Sequence, residues 1–298
     1  MKKMEWMLLL LLLGSGVGTV VLAQQPDDCT PTPKDDLHVQ TFESKIFGDT
    51  QTLRVWLPPG YDDPANAKRV YSVLYMMDGG GNFSGCKDGH VSGWQIDRTL
   101  TRLIAAGSVE PIIVVAIDSG KGKGRRAEEY VPFVVHDGGP NVQGDLFPDF
   151  MVKEVLPLIA AAYRVSPKRE HRGIGGSSYG SVAALNTLIQ RPDAFGLGLL
   201  ESTSLQVGNG KMLDRTKSLK QGPVRVSIGV GDVEAGKDSP TSINFAKFSK
   251  ELAANMEAAK NHPKVLFTET PGGKHDQKSW GARFPAAVQF VFPATSPQ

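Results

Sequence analysis

Two cysteines in 298 residues, Cys29 and Cys86, are too few for a disulfide-stapled fold or a cysteine-rich metal centre. Charge of one sign is equally scarce. The 33 Lys and Arg stand against 31 Asp and Glu, so no basic surplus points to nucleic acid and no acidic tail points elsewhere. The chain also lacks C-x-x-C, H-E-x-x-H, G-x-x-x-x-G-K-[ST] and any G-x-G-x-x-G after a strand. Metal and nucleotide chemistry therefore have no motif to stand on, and no metal or cofactor is expected. Long apolar runs are missing too. The longest, Met7 to Leu13, falls well short of the ~20 residues a spanning helix needs.

That short run has a different meaning. Lys2 and Lys3 precede it, and Val21-Leu22-Ala23 closes it with a small residue. A basic start, an apolar stretch and a small exit residue form the pattern of a secretory signal peptide, so residues 1–23 are expected to be removed on export, leaving a secreted or periplasmic protein without a stable membrane anchor. Residues 24–36 are polar and Pro-containing and read as a flexible arm. In an oxidising compartment Cys29 and Cys86 are expected to form a disulfide tying that arm to the body.

From residue 37 to 298 the sequence reads as a single α/β domain. His38–Phe47 and Thr52–Leu57 alternate apolar and polar residues, like half-exposed antiparallel strands. Val70–Met77 and Pro111–Ile117 read as buried strands, and Arg172–Gly176, Leu197–Leu200, Val224–Val230 and Lys264–Thr270 as further strands, the inner ones continuously apolar. Helical spacing falls between them at 94–106, 147–163, 178–190, 242–259 and 280–291, with Pro157 expected to kink the second. This alternation predicts a mostly parallel central sheet with antiparallel edge strands and helices on both faces.

Gly176-Ser177-Ser178-Tyr179-Gly180 fits G-x-S-x-G between a predicted strand and a predicted helix. The tight turn needs small neighbours and leaves the central serine exposed, so Ser178 is the expected nucleophile. Ser177 would need a glycine where Tyr179 stands. A serine hydroxyl needs a base. Of six histidines, only His275 lies in a Gly-rich loop after the last strand, Thr270-Pro271-Gly272-Gly273-Lys274-His275. His38, His90, His136, His171 and His262 read as structural or solvated. The acid should follow the strand ending near Val230, where Asp232, Glu234 and Asp238 are candidates, with Asp276 a more distant one. Glu234, three residues past Gly231, is preferred. Oxyanion donors are expected from the amides of Tyr179 and of Gly80, within Asp78-Gly79-Gly80-Gly81. Trp94 and Arg126 are expected to contact substrate, although an aromatic can equally be core and Arg125-Arg126 equally a solvated charge run.

Taken together, Val73-Leu74-Tyr75-Met76-Met77-Asp78-Gly79-Gly80, Trp94…Asp97, Ile113-Val114-Val115-Ala116-Ile117-Asp118, Arg126…Glu129-Tyr130, Tyr163-Arg164, Gly175-Gly176-Ser177-Ser178-Tyr179-Gly180 and Gly272-Gly273-Lys274-His275…Trp280 resemble the esterase D-type "putative esterase" family over residues 38–292. That family includes enterochelin esterases, feruloyl and acetyl xylan esterases, S-formylglutathione hydrolases and mycolyltransferases. The resemblance implies an α/β-hydrolase acting on a small-molecule or carbohydrate ester without a cofactor. It assigns Ser178, His275 and Glu234 to the triad. Ser181 stands where the family often has glycine, Gly80 where it often has a polar residue, and Lys274 where a small residue is usual. An acyltransferase and a non-catalytic binding protein on the same fold are the competing readings. The oligomeric state is not legible in the sequence.

Overall fold

The computed structural model of the chain describes residue 32 and residues 36–294 apart from 88–89, 136–137, 218 and 220. The signal peptide expectation, most of the arm and Cys29 lie outside these residues. So does one half of the expected disulfide, whose other cysteine, Cys86, is described. Thr32, within the expected arm, donates through Oγ1 to Asp97 Oδ2 at 2.7 Å and through its amide to the Ser84 carbonyl at 3.0 Å.

In chain order the elements are β1 (Leu37–Glu43), β2 (Thr50–Trp56), β3 (Ser72–Met77), β4 (Gly85–Lys87), β5 (His90–Ser92), α1 (Ile96–Ala105), β6 (Ile112–Ile117), α2 (Arg125–Tyr130), α3 (Phe147–Phe150), α4 (Leu156–Ala162), β7 (Arg172–Ser177), α5 (Tyr179–Gln190), β8 (Leu197–Glu201), α6 (Lys211–Asp214), β9 (Arg225–Gly231), α7 (Pro240–Glu257), β10 (Lys264–Thr270) and α8 (Gln277–Val291). Eight strands form one sheet in the order β1-β2-β6-β3-β7-β8-β9-β10. β1 pairs antiparallel with β2, and β2 antiparallel with β6. The others run parallel, as expected of strands apolar on both faces. The sheet and its flanking helices form the α/β-hydrolase type of fold. β4 and β5 make a separate short hairpin that the polar sequence did not announce.

Two cores follow from the period-two alternation of side chains. Val73, Tyr75, Met77, Ile113, Val115 and Ile117 face α3, α4 and α5. Leu74, Met76, Ile112, Val114 and Ala116 face α1 and α8. Each fully buried large aliphatic side chain contributes roughly 1.5–3 kcal/mol, and β6 supplies such residues at every position but Ala116. Around Pro157 the helix is interrupted: a π-helical segment, Met151–Val155, joins α3 to α4. The proline has no N–H to give, so the backbone rearranges just ahead of it.

Candidate active site

The six parallel strands β6, β3, β7, β8, β9 and β10 end at the same edge of the sheet, and segments leaving that edge carry the sequence-predicted residues. Ser178 occupies the single residue between β7 and α5, with φ 56° and ψ −125°. Such backbone costs about 1–3 kcal/mol for a residue with a Cβ and persists only if its surroundings impose it. They do. The Ser178 amide donates to the Glu201 carbonyl at 3.1 Å, and Val182 closes the first helical bond onto the Ser178 carbonyl at 3.2 Å. Both motif glycines are required by space. A Cβ on Gly176 would come within 2.9 Å of the Gly180 carbonyl carbon, and one on Gly180 within 2.7 Å of Asp78 Oδ2. Ser181 does fit: fully buried, its Oγ lies 2.7 Å from Thr203 Oγ1.

The expected acid and base meet across two loops. His275 Nδ1 lies 2.6 Å from Glu234 Oε2. The second carboxylate oxygen, Oε1, accepts from the Ser202 hydroxyl and from the Gly231 amide, each at 2.6 Å. Burial alone would raise the Glu234 carboxyl, but the bonds from His275, Ser202 and Gly231 outweigh it and hold the group below its ordinary value. The imidazole is packed between Phe245 and Trp280, each ring 5.1 Å away. Asp276 caps α8 by accepting from the Ser279 amide at 2.8 Å, so the residue after His275 is fixed as well. The Ser178 hydroxyl rests 3.3 Å from Ser204 Oγ and, among the described residues, is not hydrogen-bonded to His275.

A family model described as "Putative esterase" matches residues 44–291. The chain belongs to the putative esterase family. It is 26% identical over 258 residues to an endo-1,4-beta-xylanase/feruloyl esterase of Xylanibacter ruminicola, an alignment covering 85% of this chain and 31% of that protein. It is 25% identical over 281 residues to a siderophore triacetylfusarinine C esterase of Aspergillus fumigatus, covering 84% and 91%. The crystal structure of an enterobactin esterase from Shigella flexneri superposes with a TM-score of 0.65 at 17% identity, covering 89% of this chain and 61% of that one, a likeness of fold. This chain thus spans less than two thirds of the xylanase/feruloyl esterase and of the enterobactin esterase.

In this putative esterase the remaining predicted residues are less alike than the sequence suggested. Tyr179 opens α5, and Gly80 lies exposed in the turn Gly79–Gly81 with nothing within 4 Å of where a Cβ would stand. Arg126 is bidentate to Asp78, at 2.6 and 2.8 Å, and lies over the rings of Tyr130 and Tyr179. It holds the glycine turn against α2. Trp94, expected against substrate, is instead 3% exposed and packed on Trp280 and Phe284, because its indole fills the layer between α1 and α8. Asp232 accepts from the Gly272 amide at 2.7 Å and makes no contact with the imidazole. Among the described residues no group of His, Cys, Asp and Glu could hold a metal ion, and no helix is long and apolar enough to cross a membrane.

Sequence reasoning missed the layer beneath Glu234. Glu201 ends β8 and Ser202 follows it, and Arg283 of α8 donates to Glu201 Oε2 at 2.7 Å. The one available signal was a polar run, Glu201-Ser202-Thr203-Ser204, directly after an apolar strand. Burial pushes the Glu201 carboxyl up to about 7, with Arg283 pulling the other way. A raised native value means that the folded state holds a proton the unfolded chain has released. Stability from this group is therefore present below about 4.5 and is lost as pH rises through about 7. In urea unfolding compared at about pH 5 and about pH 8, Glu201→Gln keeps the shape of the protonated carboxyl beside Arg283 but has no proton to release. Its fall between the two should be shallower, by up to roughly 3 kcal/mol. An equally steep fall would remove Glu201 as the cause.

Proposed function

We propose that this chain is an exported serine carboxylesterase, one catalytic domain that cleaves siderophore-type or carbohydrate-linked esters through an acyl-enzyme. The observation that carries the reading is the 2.6 Å contact between His275 Nδ1 and Glu234 Oε2, beside a serine held in a strained strand-to-helix turn. A carboxylate at Nδ1 keeps the proton on that nitrogen and leaves Nε2 as the acceptor facing outward. Ser178 passes its proton to Nε2 of His275 and attacks the ester carbonyl. The oxyanion falls to the amides of Tyr179 and Gly80, at the positive end of α5. His275 then protonates the departing alcohol and activates the water that releases the acid. Every electron pair in the sequence comes from serine, imidazole or water, so no cofactor enters.

The substrate class is supported by relatives named for siderophore and feruloyl ester cleavage. Export is supported by the basic, apolar and small-residue order of positions 2–23. The test is a fluorophosphonate probe followed by peptide mass analysis, run with a panel of siderophore lactones, feruloyl sugars, acetyl xylan and lipid esters. Labelling on Ser178 with turnover of the first two classes is expected. No labelling, or labelling of another residue, ends the proposal.

A further inference from the structure

The hydroxyl that holds Glu234 comes from the residue just after β8, a strand whose following loop carries no proposed triad member. We infer that Ser202 is a positioning residue, locked as a hydrogen-bond donor to Glu234 and thereby setting which carboxylate oxygen meets His275. The inference rests on the Ser178–His275–Glu234 reading.

Ser202 is fully buried, with φ 43°. Its hydroxyl has one hydrogen and two acceptor positions. Trp280 Nε1 approaches the oxygen at 2.8 Å and Arg283 Nη2 at 3.4 Å. Indole and guanidinium nitrogens only donate, so they take the acceptor side of the oxygen. The hydroxyl hydrogen has one direction left, toward Glu234 Oε1 at 2.6 Å. The Gly231 amide fills the other site on the same oxygen. Glu234 Oε1 is thus saturated by donors that cannot reverse, and Oε2 is the oxygen left for the imidazole.

The dipeptide that carries this serine also holds the nucleophile. The Glu201 carbonyl accepts from the Ser178 amide, and the Ser202 amide donates to the Gly229 carbonyl of β9 at 2.7 Å. Trp280, which donates to Ser202, also presents its ring edge-on to His275. One closed set of buried contacts therefore ties the turn bearing Ser178, the oxygen of Glu234 and the plane of the imidazole to a common reference.

The experiment compares Ser202→Ala and Ser202→Gly with the unsubstituted protein and with Ser178→Ala. Glycine accommodates the positive φ, so it keeps a folded variant available should the buried donors unfold the alanine one. Expected for both is a kcat lower by about tenfold to a hundredfold, the range for losing a bond to a charged group, with KM within about twofold. The acid limb of kcat/KM should move to higher pH, because a carboxylate with one donor fewer holds the imidazolium more tightly. The downfield proton resonance of the His275–Glu234 hydrogen bond should shift with it. Unchanged kcat, or a fall in kcat with neither limb nor resonance moved, would overturn the inference, since lost packing alone gives the latter. If either result comes with an inactive Ser178→Ala, only the role of Ser202 fails. Turnover surviving in Ser178→Ala would instead sink the triad itself.

Discussion

Ser178→Ala is expected to lower turnover of p-nitrophenyl butyrate by roughly four to six orders of magnitude while leaving the fold intact. The size follows from what the substitution removes. Without the hydroxyl there is no acyl-enzyme, and the two-step path reverts to direct attack by water. The His275–Glu234 pair and the amides of Tyr179 and Gly80 would remain in place, so the residual rate measures what binding and oxyanion contacts achieve alone. Alanine keeps the Cβ, hence the strained turn at φ 56° costs it about what it costs serine. The lost hydroxyl contact is a single long one, to Ser204. A melting temperature within a few degrees of the original, with turnover gone, is the supporting result. The informative failure involves Ser204, which is 3% exposed and 3.3 Å away. Retained turnover with probe on Ser204 would move the nucleophile by one strand.

The parts of this molecule that were legible in the sequence are those whose signal is local. Strand β10 was read with its observed bounds, Lys264–Thr270, and β6 to within one residue; for β6 a continuous apolar run admits few other registers in a two-faced sheet. The serine turn carries its geometry in five adjacent residues. What escaped was polar burial, which hydropathy does not see. Arg125 and its neighbours read as a solvated run, yet they begin helix α2. There Glu128 and Glu129 are buried because Arg125 bridges them to each other and to Asp49. Arg283 and Glu201 pair across 82 residues, and Arg126 reaches Asp78 across 48. No window of sequence contains either pair. Trp94 is a different case. An aromatic next to a glycine loop suits a pocket or a core equally, and packing against α8 decided for the core.

The choice between Glu234 and Asp232 was the least determined part of the site, and one pair of amides resolves it. Glu234→Gln is expected to lower kcat by about three to four orders of magnitude. Both oxygens of the native carboxylate face donors: Oε2 the imidazole, and Oε1 the Ser202 hydroxyl and the Gly231 amide. A glutamine NH2 must therefore confront one side or the other. The Gly231 N–H belongs to the backbone of β9 and cannot turn away, so the NH2 is driven toward His275. The imidazole then accepts at Nδ1 and carries its proton on Nε2, the nitrogen that should receive the proton of Ser178. Base catalysis is lost although every atom but one is conserved in shape. Asp232→Asn has no such conflict. The exposed Asp232 accepts from the Gly272 amide through Oδ1, and an asparagine carbonyl accepts equally well, so activity is expected to stay within about threefold. The reverse pattern, with an inert Asp232→Asn and an active Glu234→Gln, would mean that the loop after β9 rearranges before chemistry and that the 2.6 Å contact belongs to the resting protein alone.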